Sequence, residues 1–334
     1  MTKPASFSVY GAGSWGSALA IQLARNEIDT LLWGHRSDQL ERYNHERKNT
    51  TYLPETDFPD CLHCESALKK LTEHSQYQLI AVPSHGFRDL LTQLSPYLNS
   101  EHQLLWATKG LELDSGKLLH QLVNETLPQI THYGIVSGPT FAAEVAKGLP
   151  TAMTVASNQQ TLAKATAHAF QSETYRVYTS DDVIGVELGG AVKNVMAIAA
   201  GIADGLGFGA NARTALITRG FAEIIRLGQA MGAKSETLMG LSGIGDLILT
   251  CTDDQSRNRQ LGLALGAGKT LSQAIKDIGQ AVEGAKTSQS IHQLAQRAGV
   301  EMPICFAVHQ ILYKDLSPQD AVESLISRRT KSEF

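Results

Sequence analysis

Short apolar runs recur through the first half of the chain, at residues 7–10, 30–33, 79–82, 104–107 and 134–136, separated by helical or polar sequence. Runs of this length, apolar on both faces, are what a mostly parallel sheet covered on both sides by helices requires. Two more, at 151–156 and 174–178, complete the predicted sheet. The later runs end in loop chemistry: Pro83-Ser84, Thr108-Lys109-Gly110 and Ser137-Gly138-Pro139-Thr140. Ligands of such sheets bind beyond the carboxyl ends of the strands, so these loops are where a site is expected. Beyond Asp181 the strand signals fade into helical stretches broken by Gly-rich turns at 205–209 and 243–245. The pattern therefore predicts an α/β, Rossmann-like, dinucleotide-binding domain over residues 1–180 and an all-helical substrate-binding domain over 181–334. The tail from Ser327 is polar and reads as frayed.

Gly11, Gly13 and Gly16 fall between the first apolar run and a helix predicted over about residues 17–25. In a chain with 29 glycines a bare pattern carries little weight, but a strand before it and a helix after it give it a mechanism. The first glycine permits the tight turn, the second lets backbone approach a pyrophosphate, and the third lets helix and strand pack closely. Where the second strand ends, an acid about 20 residues past the glycines would bind a ribose 2′-hydroxyl and repel a 2′-phosphate. This chain has Gly34-His35-Arg36-Ser37 there. Without a carboxylate and with one fixed cation, His35 and Arg36 predict NADP(H) preferred over NAD(H); the plainer reading is a surface arginine heading the next helix.

Residues 183–203 carry only two charges, Glu187 and Lys193, in 21 positions. The length would permit a membrane span, but two internal charges, four glycines and no basic flank argue for a buried helix instead. Thr179, Ser180, Asp181 and Asp182 supply a cap for its start. About three turns in lies Lys193, whose ammonium is expensive to bury and whose pKa falls when it is desolvated, which equips it to exchange a proton near neutrality. Glu187 lies about 240° round the helix and is excluded as its local partner. Gly189 and Gly190, on the lysine's own face, leave room for a ligand or another backbone. A second constellation runs from Asp246 through Thr250 to Ser256-Arg257-Asn258-Arg259. Its arginines suit a phosphate, while a solvated loop capping the next helix through Ser256 explains the same residues equally well.

Composition narrows the partners. With 43% hydrophobic and 19% charged residues and a formal net charge of -4, nothing points to nucleic acid or an anionic membrane. The first six residues lack a secretory signal, so the chain is expected in the cytoplasm. Cys251 and Cys305 stand alone in apolar surroundings, and Cys61-x-x-Cys64 has no second ligand pair, so no metal site is predicted despite 11 histidines.

Five blocks in register carry a family resemblance: Gly11-Ala12-Gly13-Ser14-Trp15-Gly16, Trp106-Ala107-Thr108-Lys109-Gly110, Ser137-Gly138-Pro139-Thr140-Phe141-Ala142, Gly189-Gly190-Ala191-Val192-Lys193-Asn194, and Gly245-Asp246 through Ser256-Arg257-Asn258-Arg259. Over essentially its full length the chain resembles the NAD(P)-dependent glycerol-3-phosphate dehydrogenases of the bacterial type. The resemblance implies reversible reduction of dihydroxyacetone phosphate to sn-glycerol 3-phosphate for phospholipid synthesis, by a likeness that also favours a homodimer. It implies Lys193 as proton donor and acceptor, Asn194 and Asp246 as the groups orienting it, and Lys109 and Thr250 as neighbours completing the pocket. Gly138 and Thr140 join the substrate side, and Ser256, Arg257 and Asn258 match the phosphate cradle. On the cofactor side it implies Ser14 and Trp15 beneath the pyrophosphate, Ala142 near the nicotinamide end, Lys109 and Arg257 between the two ligands, and Glu283 closing over the dinucleotide. Two other readings compete: a dehydrogenase for a hydroxy acid such as 6-phosphogluconate, which the block after Asp246 argues against, and a non-catalytic dinucleotide sensor, which has no reason to keep Lys193, Asn194 and Asp246 together.

Overall fold

The computed structural model describes residues 3–327, so the tail beyond Ser327 lies outside the described residues. The strands are β1 (Ser6–Tyr10), β2 (Asp29–Trp33), β3 (Leu62–Glu65), β4 (Tyr77–Ile80), β5 (Gln103–Trp106), β6 (Tyr133–Ser137), β7 (Thr151–Ser157) and β8 (Tyr175–Ser180). They form one sheet in the order β3-β2-β1-β4-β5-β6-β7-β8. Only β6 and β7 pair antiparallel; the other neighbours are parallel. Apolar clusters cover both faces, one built round Phe7, Val9 and Leu19, the other round Tyr10, Ile80 and Trp106. The chain reverses its direction of travel across the sheet between β1 and β4, and the loops after β1, β4, β5 and β6 therefore gather at one edge.

The predicted runs all become strands, but β3 goes unread in the sequence. It is an edge strand of four residues in which only Leu62 and Cys64 turn inward while His63 is exposed. Two apolar side chains are too few for a periodic signal, and the segment reads instead as a lone C-x-x-C. Cys64 is a free, buried thiol that burial pushes up to about 12. The first helix also starts earlier than expected, at Ser14 rather than near Ser17, because Gly13 itself is the N-cap.

The helix Val183–Gly205 is long and apolar enough to cross a membrane, yet it is almost wholly buried inside the protein. Asp182 caps it, accepting from the Gly185 N–H at 2.8 Å. Helices Ala210–Ala230, Asp246–Thr252, Arg257–Gly266, Glu283–Ala298 and Pro303–Tyr313 pack around it. Glu187 is paired, as its position on the helix demands, with a group outside it: the backbone N–H of His120 at 2.9 Å and its Nδ1 at 2.5 Å. Against the 257–266 helix the two backbones approach so closely that a Cβ on Gly262 would stand 2.1 Å from the Ile198 carbonyl oxygen, and one on Gly201 would stand 2.2 Å from that of Arg259. We expect Gly262→Ala to lower unfolding stability by about 1–3 kcal/mol through forced separation of these helices, measured as a drop in melting temperature.

Candidate active site

The glycine turn after β1 shows why each glycine is needed. A Cβ on Gly11, whose φ is +125°, would lie 2.8 Å from the Ala81 carbonyl oxygen, and one on Gly16 would lie 2.0 Å from that of Gly11. Nothing lies within 4 Å of a Cβ built on Gly13. That open space faces the start of the Ser14–Arg25 helix, which has no side-chain cap and no acid in its first turn. Unpaired N–H groups at a helix start beside open space fit a pyrophosphate. Trp15 stands at the same turn with its buried indole N–H unpartnered. The residues present therefore fit a dinucleotide.

Two further loops approach this turn. Thr108 closes the β5 loop onto the β4 loop by donating to the Val82 carbonyl at 2.7 Å. Next to it, Lys109 Nζ donates to the Gly138 carbonyl at 3.2 Å and sits 5.8 Å from the centre of the Trp15 ring. Thr140 donates its hydroxyl to the same Gly138 carbonyl at 3.1 Å. A Cβ on Gly138 would collide with Met153 Cα at 2.9 Å, which is the packing reason for glycine there.

From the helical side comes Lys193, buried, with Nζ 2.5 Å from Asp246 Oδ1 and 3.0 Å from Thr250 Oγ1. The other oxygen of Asp246 accepts from Lys109 at 2.8 Å. One fully buried carboxylate is thus shared by two lysines, one from each half of the chain. Burial lowers the Lys193 pKa to about 8; the Asp246 charge resists that fall and the Lys109 charge assists it. Thr250 holds its place by donating to the Asp246 carbonyl one turn back, at 2.6 Å. Asp246 follows directly on a single π-helical turn, Leu241–Gly245. That turn fills the space left by Gly189, where a Cβ would be 2.4 Å from the Ser242 carbonyl oxygen, so another backbone takes this room rather than a ligand. Gly190 faces Ser137 and the Lys109 stem.

Family models match residues 6–163, described as the N-terminus of NAD-dependent glycerol-3-phosphate dehydrogenase, and residues 182–323, described as its C-terminus. The chain is 54% identical over all 334 residues to a glycerol-3-phosphate dehydrogenase [NAD(P)+] of Thioalkalivibrio sulfidiphilus and 50% identical to that of Aeromonas salmonicida, covering 100% of each. The crystal structure of glycerol-3-phosphate dehydrogenase from Coxiella burnetii superimposes with a TM-score of 0.94 at 46% identity, over 98% of this chain and 99% of that one. The chain belongs to the NAD-dependent glycerol-3-phosphate dehydrogenase family.

Within this dehydrogenase fold the remaining expected residues divide. Asn194 is engaged by Asn258, whose amide nitrogen donates to its side-chain oxygen at 3.0 Å, rather than by Lys193. Asn258 also accepts from the Gly284 N–H at 2.9 Å, which ties the 257–266 and 283–298 helices together beside Lys193. Glu283 therefore borders the site; burial raises its carboxyl pKa, against the pull of Arg257, Lys109 and Lys193. Ser256 does cap the next helix, accepting from the Arg259 N–H at 3.2 Å. The two arginines of that block part company. Arg259 is consumed by Asp204 at 2.6 Å and Asp254 at 2.9 Å, whereas Arg257 is half-exposed with a neutral contact to Gln280 at 3.3 Å. Arg257 is the less committed of the two, its carboxylate neighbour being the Glu283 whose pKa it pulls down.

At the end of β2, Gly34 abuts Ala12 of the glycine turn, and Ala142 opens the helix Ala142–Lys147 after the β6 loop. His35 and Arg36 are exposed there, with no carboxylate at residues 34–37 themselves, but Arg36 has an acidic neighbour. Asp38, two residues on, lies 2.9 Å from the Arg36 guanidinium. Asp38 stands in the first turn of the helix Ser37–Glu46 rather than at the strand end. Among the described residues, no three His, Cys, Asp or Glu side chains gather as metal ligands. We expect Asp246→Asn to destabilise the fold by about 3–5 kcal/mol, because it strands two buried cations without their shared anion; chemical denaturation reads the loss, and adding Lys109→Met to the same chain recovers part of it.

Proposed function

We propose that this chain reduces dihydroxyacetone phosphate to sn-glycerol 3-phosphate, reversibly, with Lys193 as the proton donor and acceptor. The observation that carries this reading is the Lys193–Asp246–Lys109 cluster, whose Lys109 lies 5.8 Å from the Trp15 ring of the glycine turn. The reaction adds a hydride and a proton across a carbonyl, and a bound nicotinamide dinucleotide supplies the hydride. Lys193 as ammonium polarises the C2 carbonyl oxygen and delivers its proton there. In the reverse direction its neutral amine takes the hydroxyl proton. Asp246 and Thr250 hold Nζ in place, and Lys109 links that carboxylate to Gly138 and Thr140 on the substrate side. Arg257, Asn258 and Ser256 receive the phosphate at the start of the 257–266 helix, where the guanidinium and backbone N–H groups act together.

The same reading takes residues 1–180 as the dinucleotide-binding domain and 181–334 as the substrate-binding domain, with Asn194 holding the phosphate-binding Asn258. Ser14, Trp15, Gly11, Gly13 and Gly16 bind the pyrophosphate, with Ala142, Lys109 and Glu283 toward the nicotinamide end. A cytoplasmic homodimer supplying the glycerol backbone of phospholipids completes the proposal, supported by the family resemblance. For the cofactor we infer that NADP(H) is preferred through Arg36, in a preference that Asp38 moderates by occupying the same guanidinium.

Following NAD(P)H oxidation with dihydroxyacetone phosphate, against unphosphorylated dihydroxyacetone, tests the activity. A preference of at least a hundredfold for the phosphorylated ketone is expected by analogy with sites built around a buried polar partner, and equal rates would overturn the assignment. Lys193→Met should lose turnover by about a thousandfold or more while still binding dinucleotide; retained turnover would remove the lysine from its role. With Lys193 titrating near pH 8, ketone reduction should fall and alcohol oxidation should rise as pH passes through that value. Finally, Arg36→Gln should cut kcat/KM for NADPH about tenfold with NADH little changed, and Asp38→Asn should raise it by about two- to fivefold, the range of an exposed ion pair. Steady-state kinetics with both cofactors decides.

A further inference from the structure

The segment between the second helix, Ser37–Glu46, and β3 has no helix or strand of its own beyond the isolated bridge Lys48–Asp57, yet it is firmly built. Leu53 and Phe58 are buried in the sheet core, and Arg47 donates to the carbonyls of Leu62 at 2.8 Å and Pro59 at 2.7 Å. Lys48 and Asp57 close its base with an ion pair of 2.9 Å. From this platform one side chain, Asn49, reaches the glycine turn. It is fully buried, and all four of its hydrogen-bonding positions are filled. Its amide nitrogen donates to the Ala12 carbonyl at 3.1 Å and to Ser17 Oγ at 2.8 Å. Its oxygen accepts the Thr51 N–H at 3.2 Å and the Tyr52 N–H at 3.0 Å, which folds its own loop.

We propose that Asn49 is a positioning residue for dinucleotide binding, setting the direction in which the glycine turn presents its backbone donors; this rests on the reading of that turn as the pyrophosphate site. The argument is geometric. Across a trans peptide bond the carbonyl of one residue and the N–H of the next point in opposite directions. Anchoring the Ala12 oxygen on Asn49 therefore turns the Gly13 N–H away from Asn49. Gly13 is the residue beside which a Cβ would meet nothing within 4 Å, the space an anion would enter. The second bond, to Ser17, fixes the first turn of the helix whose N–H groups face the same space. Glycine in the turn makes this anchoring necessary, since an unrestrained Gly-Ala-Gly segment can rotate that peptide at little cost. Both bonds act on the backbone and first helical turn of the glycine turn, which would meet the pyrophosphate common to NAD and NADP, so both dinucleotides should depend on Asn49 alike.

Titration calorimetry with NAD+ and NADP+ on the full-length protein tests this, using Asn49→Ser and Asn49→Ala. Serine keeps an acceptor for its own loop but is too short to reach Ala12, which separates the anchoring bond from the loop's internal ones. Both variants should raise Kd for NAD+ and NADP+ by the same factor, about three- to tenfold, with kcat at saturating cofactor and KM for dihydroxyacetone phosphate unchanged. A purely structural asparagine would lower the melting temperature and leave both Kd values at wild type, and that result overturns the proposal. So does a loss confined to one dinucleotide, which would place Asn49 at the ribose end. If neither variant folds, Ser17→Ala removes the second bond without adding bulk; it should weaken both dinucleotides equally, by about twofold or more, and unchanged affinity would count against us. A wild-type protein that binds neither dinucleotide would instead defeat the functional reading itself.

Discussion

The Asp246 carboxylate is the point on which the site depends. It is fully buried, and each of its oxygens serves a different lysine, Lys193 from the long central helix and Lys109 from the loop after β5. A lone buried carboxylate or a lone buried ammonium would be driven neutral or drawn to solvent. Together the three groups carry one net positive charge; the Asp246 anion keeps Lys193 in place, while burial, assisted by the Lys109 charge, leaves its proton loosely held, at a pKa of about 8. The same bonds join the sheet to the helical half, so the chemistry and the seam between the two halves share one anion.

Backbone proximity is the second constraint. Gly189 admits the Ser242 carbonyl, and that close approach brings the π-turn, and Asp246 after it, alongside Lys193. Gly284 lies against the Asn194 carbonyl and the Asn258 side chain, which brings Glu283 to the border of the site. Gly201 and Gly262 let the 183–205 and 257–266 helices touch backbone to backbone, which fixes the helix that Arg257 begins against the one that carries Lys193. In each case the missing side chain matters for what it lets through. Gly13, by contrast, has open space where its side chain would stand, and it lies where a ligand's anion is expected.

Charge pairing then sorts residues that look equivalent in the chain. Arg257 and Arg259 are two positions apart in one motif, yet Arg259 is buried against two aspartates while Arg257 is half-exposed and bonded to Gln280. Arg36, which reads as a free cation, shares its charge with Asp38. An arginine's availability for a phosphate depends on which carboxylates the fold brings to it, and that is a property of the neighbours rather than of the motif.

The sequence by itself determined the features that depend on local spacing: the apolar runs that became β1, β2 and β4 to β8, the glycine turn, the buried helix with a lysine inside it, and the cap at Ser256. These are readable because period, turn and cap preferences act over a few residues. The two-residue inward face of β3 fell below that threshold. The tertiary structure alone decided which carboxylate meets Lys193, for Asp246 lies 53 positions away. It also decided that Glu187 would serve His120, that Asn194 would hold Asn258, and that Asn49 would reach back 32 and 37 positions to Ser17 and Ala12. Such pairings follow from how packed helices and strands present their faces to one another, and no local preference encodes that placement.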